Sequence, residues 1–236
     1  MRFTCIICHD RKSEIISHNT RDSISQVVNC CSCFHVQLYP VPTTKEDKYF
    51  YNLDLQAKNV FKKTNCLNLE KRSTVDTQRR VDCIRSEFDK KMSVLDIGSG
   101  YGFFLKAIGD IGFQTTGLEV SSIRREISKT LTNVPLMSKA ITGPNKTKNR
   151  YDLITLFHVL EHVKDPIKLL TDLKSYLQRD GTLIVEVPNA NYYMLKINKS
   201  YRDFFWQRAH ISYFKIKILK KILKNSGYQK INVSGV

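Results

Sequence analysis

The sequence predicts an α/β fold, a mostly parallel Rossmann-like sheet with helices on both faces, plus a small cysteine-bearing N-terminal module. Three observations carry this. The stretch from Ser93 to Leu105, SVLDIGSGYGFFL, is an apolar run, a turn with glycines at 98, 100 and 102, and an apolar segment that can open a helix. Apolar strand-length runs and helical stretches then alternate to the end of the chain, as in doubly wound sheets. Two C-x-x-C pairs, Cys5/Cys8 and Cys30/Cys33, lie near the N-terminus. A strand, a glycine turn and a helix N-terminus hold nucleotide-like ligands in open α/β sheets, because the turn needs unusual φ and the ligand must approach bare backbone.

The length of 236 residues suits one α/β domain and a small module. There are 38 Lys and Arg against 22 Asp and Glu, a formal net charge of +16. That balance favours an anionic partner: nucleic acid, a sugar nucleotide, an acidic glycan or a membrane surface. A generally lysine-rich background is the plain alternative, since the lysines are spread along the chain. The start, MRFTCIICHD, has no secretory apolar core, and no apolar run is long enough to span a bilayer. A cytoplasmic location is therefore expected. In a reducing compartment, clustered cysteines are more often metal ligands than disulfides.

Residues 1–44 read as a zinc-binding module. Each C-x-x-C supplies two thiolates from one tight turn, and two turns close a tetrahedron. The expected ligands are Cys5, Cys8, Cys30 and Cys33, with Cys31, His9 and His35 as further candidates. Two other readings stand beside zinc. Cys5 to His9 also matches the C-x-x-C-H haem-attachment pattern, which would need export and would leave the second pair unexplained, and free thiols are the third. The span between the pairs, with Ile15, Ile16, Val27 and Val28 in a polar background, suits ribbon strands. Residues 45–90 read as a helical connector. Within it Tyr49 and Tyr51 flank Phe50 and are candidate substrate contacts, with packing on the main domain as the ordinary alternative.

The main domain covers 91–236. Its first strand is Val94 to Ile97, with a helix from about Gly102 to Ile111. The second strand, Gln114 to Glu119, ends on an acid 23 residues after Asp96, and such an acid can accept bonds from both ribose hydroxyls of an adenosine. Ser121 and Ser122 can cap the next helix. A weak third strand is expected near Val134 to Met137. The fourth is Leu153 to Phe157, and Asp165-Pro166 marks a following helix start. Arg179-Asp180-Gly181 reads as a turn before a fifth strand, Thr182 to Val187. Residues 190–212 read as a lid, dense in aromatics with Arg202 and Arg208 among them. A helix from Lys215 to Asn225 follows, closed by Gly227, and a further strand is expected from Tyr228.

The glycine pattern departs from the dinucleotide fingerprint at Phe103 and instead, with Asp96 two residues before Gly98, resembles motif I of the class I S-adenosylmethionine (SAM) methyltransferases. The block Leu160-Glu161-His162-Val163, then Asp165-Pro166, resembles the motif after strand four in the group that includes ubiquinone-type O-methyltransferases and sugar methyltransferases. Gly181 before the fifth strand and Pro188-Asn189 after it fit the same group, so the resemblance spans Val94 to Asn189. It implies SAM contacts at Asp96, Gly98, Ser99, Gly100, Glu119 and Val120, with Phe157 and His158 beside the methionine end. The acid common after strand three in this class is missing, which leaves a backbone contact at Ala140 for the adenine. His210-Ile211-Ser212-Tyr213-Phe214 resembles the E-H-x-x-Y-F segment of zinc-bearing sugar C-methyltransferases, with Ala209 in place of the glutamate. That implies His210 as acceptor contact and base; His158 is a second catalytic candidate, and Arg208, among the lid aromatics, is a candidate acceptor contact. The expected function is methyl transfer from SAM to an anionic small molecule: a sugar, sugar nucleotide or glycan end. Two alternatives stand: a zinc-containing rRNA methyltransferase, favoured by charge but without an N-P-P-Y-type motif, and a non-catalytic SAM- and zinc-binding interaction protein.

Overall fold

A computed structural model describes residues 2–21, 25–47 and 66–235, with backbone alone at 66 and 67. Its elements, in chain order, are β1 (Ser13–Ser17), β2 (Gln26–Cys30), β3 (Val36–Tyr39), α1 (Cys66–Glu87), β4 (Ser93–Ile97), α2 (Phe103–Asp110), β5 (Gln114–Leu118), α3 (Ser122–Leu131), β6 (Leu136–Met137), β7 (Tyr151–Phe157), a 3₁₀ turn (Leu160–His162), α4 (Pro166–Lys174), β8 (Leu177–Glu186), α5 (Met194–Ile197), α6 (Lys199–Phe205), β9 (Ser212–Tyr213) and α7 (Ile216–Asn225).

The central sheet has five parallel strands in the order β6-β5-β4-β7-β8. Successive residues of a strand point to opposite faces, so neighbours on β4 and β7 serve different cores. Val94 and Leu153 meet Val81 and Ile84 of α1 and Phe104, Leu105 and Ile108 of α2 on one face. Leu95, Ile154 and Leu156 meet Leu169, Leu170 and Leu173 of α4 and Ile218, Ile222 and Leu223 of α7 on the other. That two-sided burial is why these strands read as continuous apolar runs. The chain winds outward from β4 to β6 and then returns to the far side of β4 at β7. The carboxyl ends of β4 and β7 are therefore the switch point where open α/β sheets bind ligands. Helix starts follow the sequence: Asp165 accepts from the Lys168 amide at 2.9 Å with Pro166 in the first turn, and Ser121 accepts from the Arg124 amide at 3.3 Å.

Two sequence expectations are corrected here. Residues 228–235 are irregular rather than a strand: the Tyr228 hydroxyl donates to the Leu170 carbonyl at 2.9 Å and its ring packs in the α4–α7 core, which pulls the chain across the helices. The expected turn at Arg179-Asp180-Gly181 is a bulge inside β8. Tyr151 pairs with Leu177 and Leu153 with Thr182, so the residues of the turn loop out of a strand that has already begun.

The second sheet ties the N-terminal module to the rest. β1, β2 and β3 form an antiparallel meander, and its fourth strand is β9, paired to β3 at Val36–Tyr213 and Gln37–Ser212. The segment between β8 and β9 packs there too: Leu195, Phe205, Trp206 and Tyr213 share a core with Val27 and Val36. Of the aromatics expected in a lid, Tyr201, Phe205 and Trp206 are thus mortar between lid and module, while Tyr192, Tyr193 and Phe204 are exposed. Among the described residues, no helix is long and apolar enough to cross a membrane.

Candidate active site

The loop after β4 forms the floor of the switch point. Gly98, Gly100 and Gly102 have φ of +73°, +57° and +77°, a region that favours glycine. A Cβ on Gly98 would lie 2.5 Å from Cγ2 of Val159, whereas one on Gly100 would meet nothing within 4 Å. Gly98 is closed against the next loop, and Gly100 faces open space. Gly98→Ala should therefore lower folding stability by more than the roughly 1–2 kcal/mol that left-handed backbone alone costs an L-residue, while Gly100→Ala should lose about that amount and also obstruct a ligand on the turn. Urea unfolding of the two variants ranks them.

Glu119, directly after β5, is 5 % exposed. Its carboxylate accepts from the Gly100 amide at 2.9 Å and the Ser121 amide at 2.8 Å. Val120 and Ala140 are exposed on the loops after β5 and β6, at the same end of the sheet. Ser99 donates to the Asp96 carbonyl at 2.9 Å.

Asp96 is buried within β4 and accepts from the Thr155 hydroxyl at 2.6 Å. Burial pushes its carboxyl up to about 6, against the pull of Thr155. A folded-state value above the unfolded one means that its contribution to stability is complete below the ordinary carboxyl range and is lost as pH rises to about 6. Asp96→Asn should remove this slope, so the variant should gain stability relative to the parent between pH 4 and 7; thermal melts across that window check it.

His158, at φ +56°, closes β7. Its ring bridges two carboxylates, Glu161 at 3.2 Å and Glu186 at 3.1 Å. Burial opposes its charge, but the two acids prevail and raise its pKa to about 9. Glu186 also takes Arg79 at 3.0 Å and Arg80 at 2.7 Å from α1. Its burial is outweighed by His158 and these arginines, which hold it far below the usual carboxylate range. Arg80 also lies 4.5 Å from the centre of the Phe157 ring, itself edge-on to Phe104. The sequence reading missed Arg79, Arg80 and Glu186. Charges on a helix read as solvated surface, but an acid at the end of a strand, between Val185 and Val187, was a signal that could have been used.

Beyond His158, the 3₁₀ turn presents Glu161, 1 % exposed, and His162, and the segment before β9 brings in His210. One donor atom from each lies within 4.8 Å of the others. His162 Nδ1 is 2.6 Å from the Ala209 carbonyl, and the His162 and His210 rings meet edge-on at 5.0 Å. Burial, with His162 and His158 nearby, pushes His210 down to about 2, so its ring is neutral. The Ile211 amide donates to the Glu161 carbonyl at 2.8 Å, fastening this segment to the strand end. Arg208 lies 3.7 Å from Asp47, which also takes Lys164 at 2.8 Å. Tyr49 and Tyr51 lie outside the described residues.

The cysteines converge separately. One donor from each of Cys5, Cys8, Cys30 and Cys33 lies within 4.8 Å of the others. Their two turns match: the His9 amide bonds to the Cys5 carbonyl and the Phe34 amide to the Cys30 carbonyl, both at 2.9 Å, with φ of +62° at His9 and +61° at Phe34. Such a paired knuckle fits a tetrahedral ion. Neither Cys31 nor His9 joins this group, and His35 is buried elsewhere, 3.3 Å from the Ser212 hydroxyl.

Residues 70–233 match the family model described as "Methyltransferase domain". The chain belongs to this methyltransferase family. Among curated relatives of this chain, the ubiquinone biosynthesis O-methyltransferase of Coxiella burnetii is 28 % identical over 108 residues, 44 % of this chain and 46 % of the relative. That of Haemophilus ducreyi is 31 % identical over 124 residues, 47 % and 51 % of the two chains. The chain thus spans about half the length of these relatives. A SAM-dependent methyltransferase from Archaeoglobus fulgidus superposes with a TM-score of 0.56 at 19 % identity, covering 75 % of this chain and 76 % of that one. The magnesium protoporphyrin IX methyltransferase of Synechocystis PCC 6803, solved with S-adenosylhomocysteine, gives 0.59 at 16 % identity over 78 % and 89 %. At such identities these structures speak for the fold. SAM is the cofactor of this class, and the turn fits it: an open Gly100 faces the ligand side with a buried acid, Glu119, across from it.

Proposed function

We propose that this methyltransferase moves the methyl group of SAM to a hydroxyl of an anionic small molecule: a sugar, sugar nucleotide or glycan end. The observation that carries this is the Glu161–His162–His210 cluster after β7, past the cofactor turn, buried at Glu161 and part-buried at His162, with Arg208 on the same segment as His210. The names of the O-methyltransferase relatives support a small-molecule hydroxyl as acceptor; the lid resemblance supports a sugar.

When bound, SAM supplies an electrophilic methyl on a sulfonium, and transfer is an in-line displacement. The chain's part is alignment at about 3–3.5 Å and exclusion of water. Asp96, Gly98, Ser99 and Gly100 shape the turn under the cofactor, Glu119 and Val120 take the ribose, Ala140 the adenine, and Phe157 and His158 the methionine end. Arg208 and His210, with Tyr49 and Tyr51, take the acceptor. His210, held neutral, accepts the hydrogen bond of the acceptor hydroxyl, and the Glu161 carboxylate steadies the proton as it arrives. Cys5, Cys8, Cys30 and Cys33 hold Zn²⁺.

The test is transfer of labelled methyl from SAM to a sugar-nucleotide panel, with RNA in a parallel arm because the net charge of +16 suits it. Labelling of a sugar nucleotide is expected, with His210→Ala slowing turnover by about 10²–10⁴-fold, the usual range for a lost proton acceptor. Labelling of RNA alone, or none at all by protein that binds S-adenosylhomocysteine, overturns the reading.

A further inference from the structure

We infer that Glu161, His162 and His210 form a binding site for one divalent transition-metal ion, distinct from the four-cysteine group. The three donors come from two segments, the turn after β7 and the loop before β9, and still converge within 4.8 Å. Two further observations point to a cation. Glu161 is 1 % exposed, and its Oε2 has no hydrogen-bond partner among the described residues. A buried carboxylate oxygen left this way is costly unless a positive charge or a donor meets it. His162 is also set up as a ligand. The Ala209 carbonyl, 2.6 Å from Nδ1, can only accept, so Nδ1 carries the proton and Nε2, 4.0 Å from Glu161, carries the lone pair. A backbone carbonyl fixing the tautomer of a histidine is how metal-binding imidazoles are oriented. The other oxygen, Oε1, is the one 4.0 Å from His162 Nε2, and it also takes His158 at 3.2 Å, which anchors the carboxylate beside the histidines.

Two imidazoles and one carboxylate suit manganese, iron, cobalt or zinc better than calcium or magnesium, which prefer all-oxygen shells. Three protein donors leave positions for an acceptor's oxygen; with the ion bound, the His210 lone pair is taken, and the ion rather than His210 makes a bound hydroxyl easier to deprotonate. That last role rests on the proposed function; the site itself does not.

The experiment titrates Mn²⁺ into the full chain carrying one equivalent of zinc, and follows free Mn²⁺ by electron paramagnetic resonance. One Mn²⁺ per chain is expected, weakened at least about tenfold by Glu161→Gln and by His210→Gln, with S-adenosylhomocysteine binding as the check that each variant is folded. No Mn²⁺ uptake by the parent chain, or equal uptake by a folded variant, overturns the inference. Failure of the parent chain to bind S-adenosylhomocysteine would instead strike the methyl-transfer reading, because metal uptake is measured without cofactor.

Discussion

Glu119→Ala should cost the protein its affinity for S-adenosylhomocysteine while leaving it folded. The carboxylate is held at 5 % exposure across from the open Gly100, where a ribose diol can offer it two hydroxyls. Hydrogen bonds to a charged acceptor contribute roughly 1.5–3 kcal/mol each. The free protein already satisfies both oxygens with the Gly100 and Ser121 amides, so part of that gain is offset when the ligand replaces them. A net loss of about 3 kcal/mol, roughly a hundredfold in Kd, is the expected scale. Glu119→Gln should fall between, because it keeps one acceptor oxygen but turns a donor toward an amide. Titration calorimetry reads all three proteins, and parent-like affinity in the alanine variant would remove Glu119 from the cofactor site.

Loss of the cysteine-bound ion should have the largest structural effect. Cys30 is fully buried at the end of β2, and so small a sheet has little core of its own, so the ion supplies folding energy. Cys30→Ser should abolish zinc binding and destabilise this sheet by more than about 4 kcal/mol, the range reached when a structural metal is lost. The effect should travel. β3 pairs with β9, and the Leu38 amide bonds to the Ile211 carbonyl at 2.9 Å, so His210 should loosen with the module while β4 and β7 hold. Hydrogen exchange should show faster exchange in β1, β2, β3 and β9, with β4 and β7 unchanged. In a Glu161→Gln background, which disables the second candidate site, a zinc content of one before and none after Cys30→Ser is expected; zinc retained by the Cys30→Ser protein would contradict the assignment.

The parallel sheet was legible because its signals are local. Apolar runs buried on both faces, glycines at positive φ, and the caps at Ser121 and Asp165 each depend on a few neighbouring residues. The cysteine knuckles were legible for the same reason. What the sequence could not give is what non-local pairing decides. The joining of β9 to β3 spans most of the chain, and nothing near Ser212 signals it. The Arg179-Asp180-Gly181 turn chemistry is present, yet pairing of Leu177 with Tyr151 begins the strand before it. Tyr228 looked like the start of a strand until the carbonyl of Leu170 drew its hydroxyl across α4. Within the site, Glu119 and Asp96 follow from position alone. Glu186 with its two arginines, and the meeting of Glu161 with His210, follow only from the fold.

The most direct test of the account is a crystal structure of the zinc-loaded chain with S-adenosylhomocysteine. The ribose is expected on the Glu119 carboxylate, the chain of the ligand over Gly100, and its sulfur on the side of Phe157 and His158, facing the Glu161–His162–His210 cluster. A ligand bound elsewhere, or one whose sulfur points away from that cluster, would contradict it.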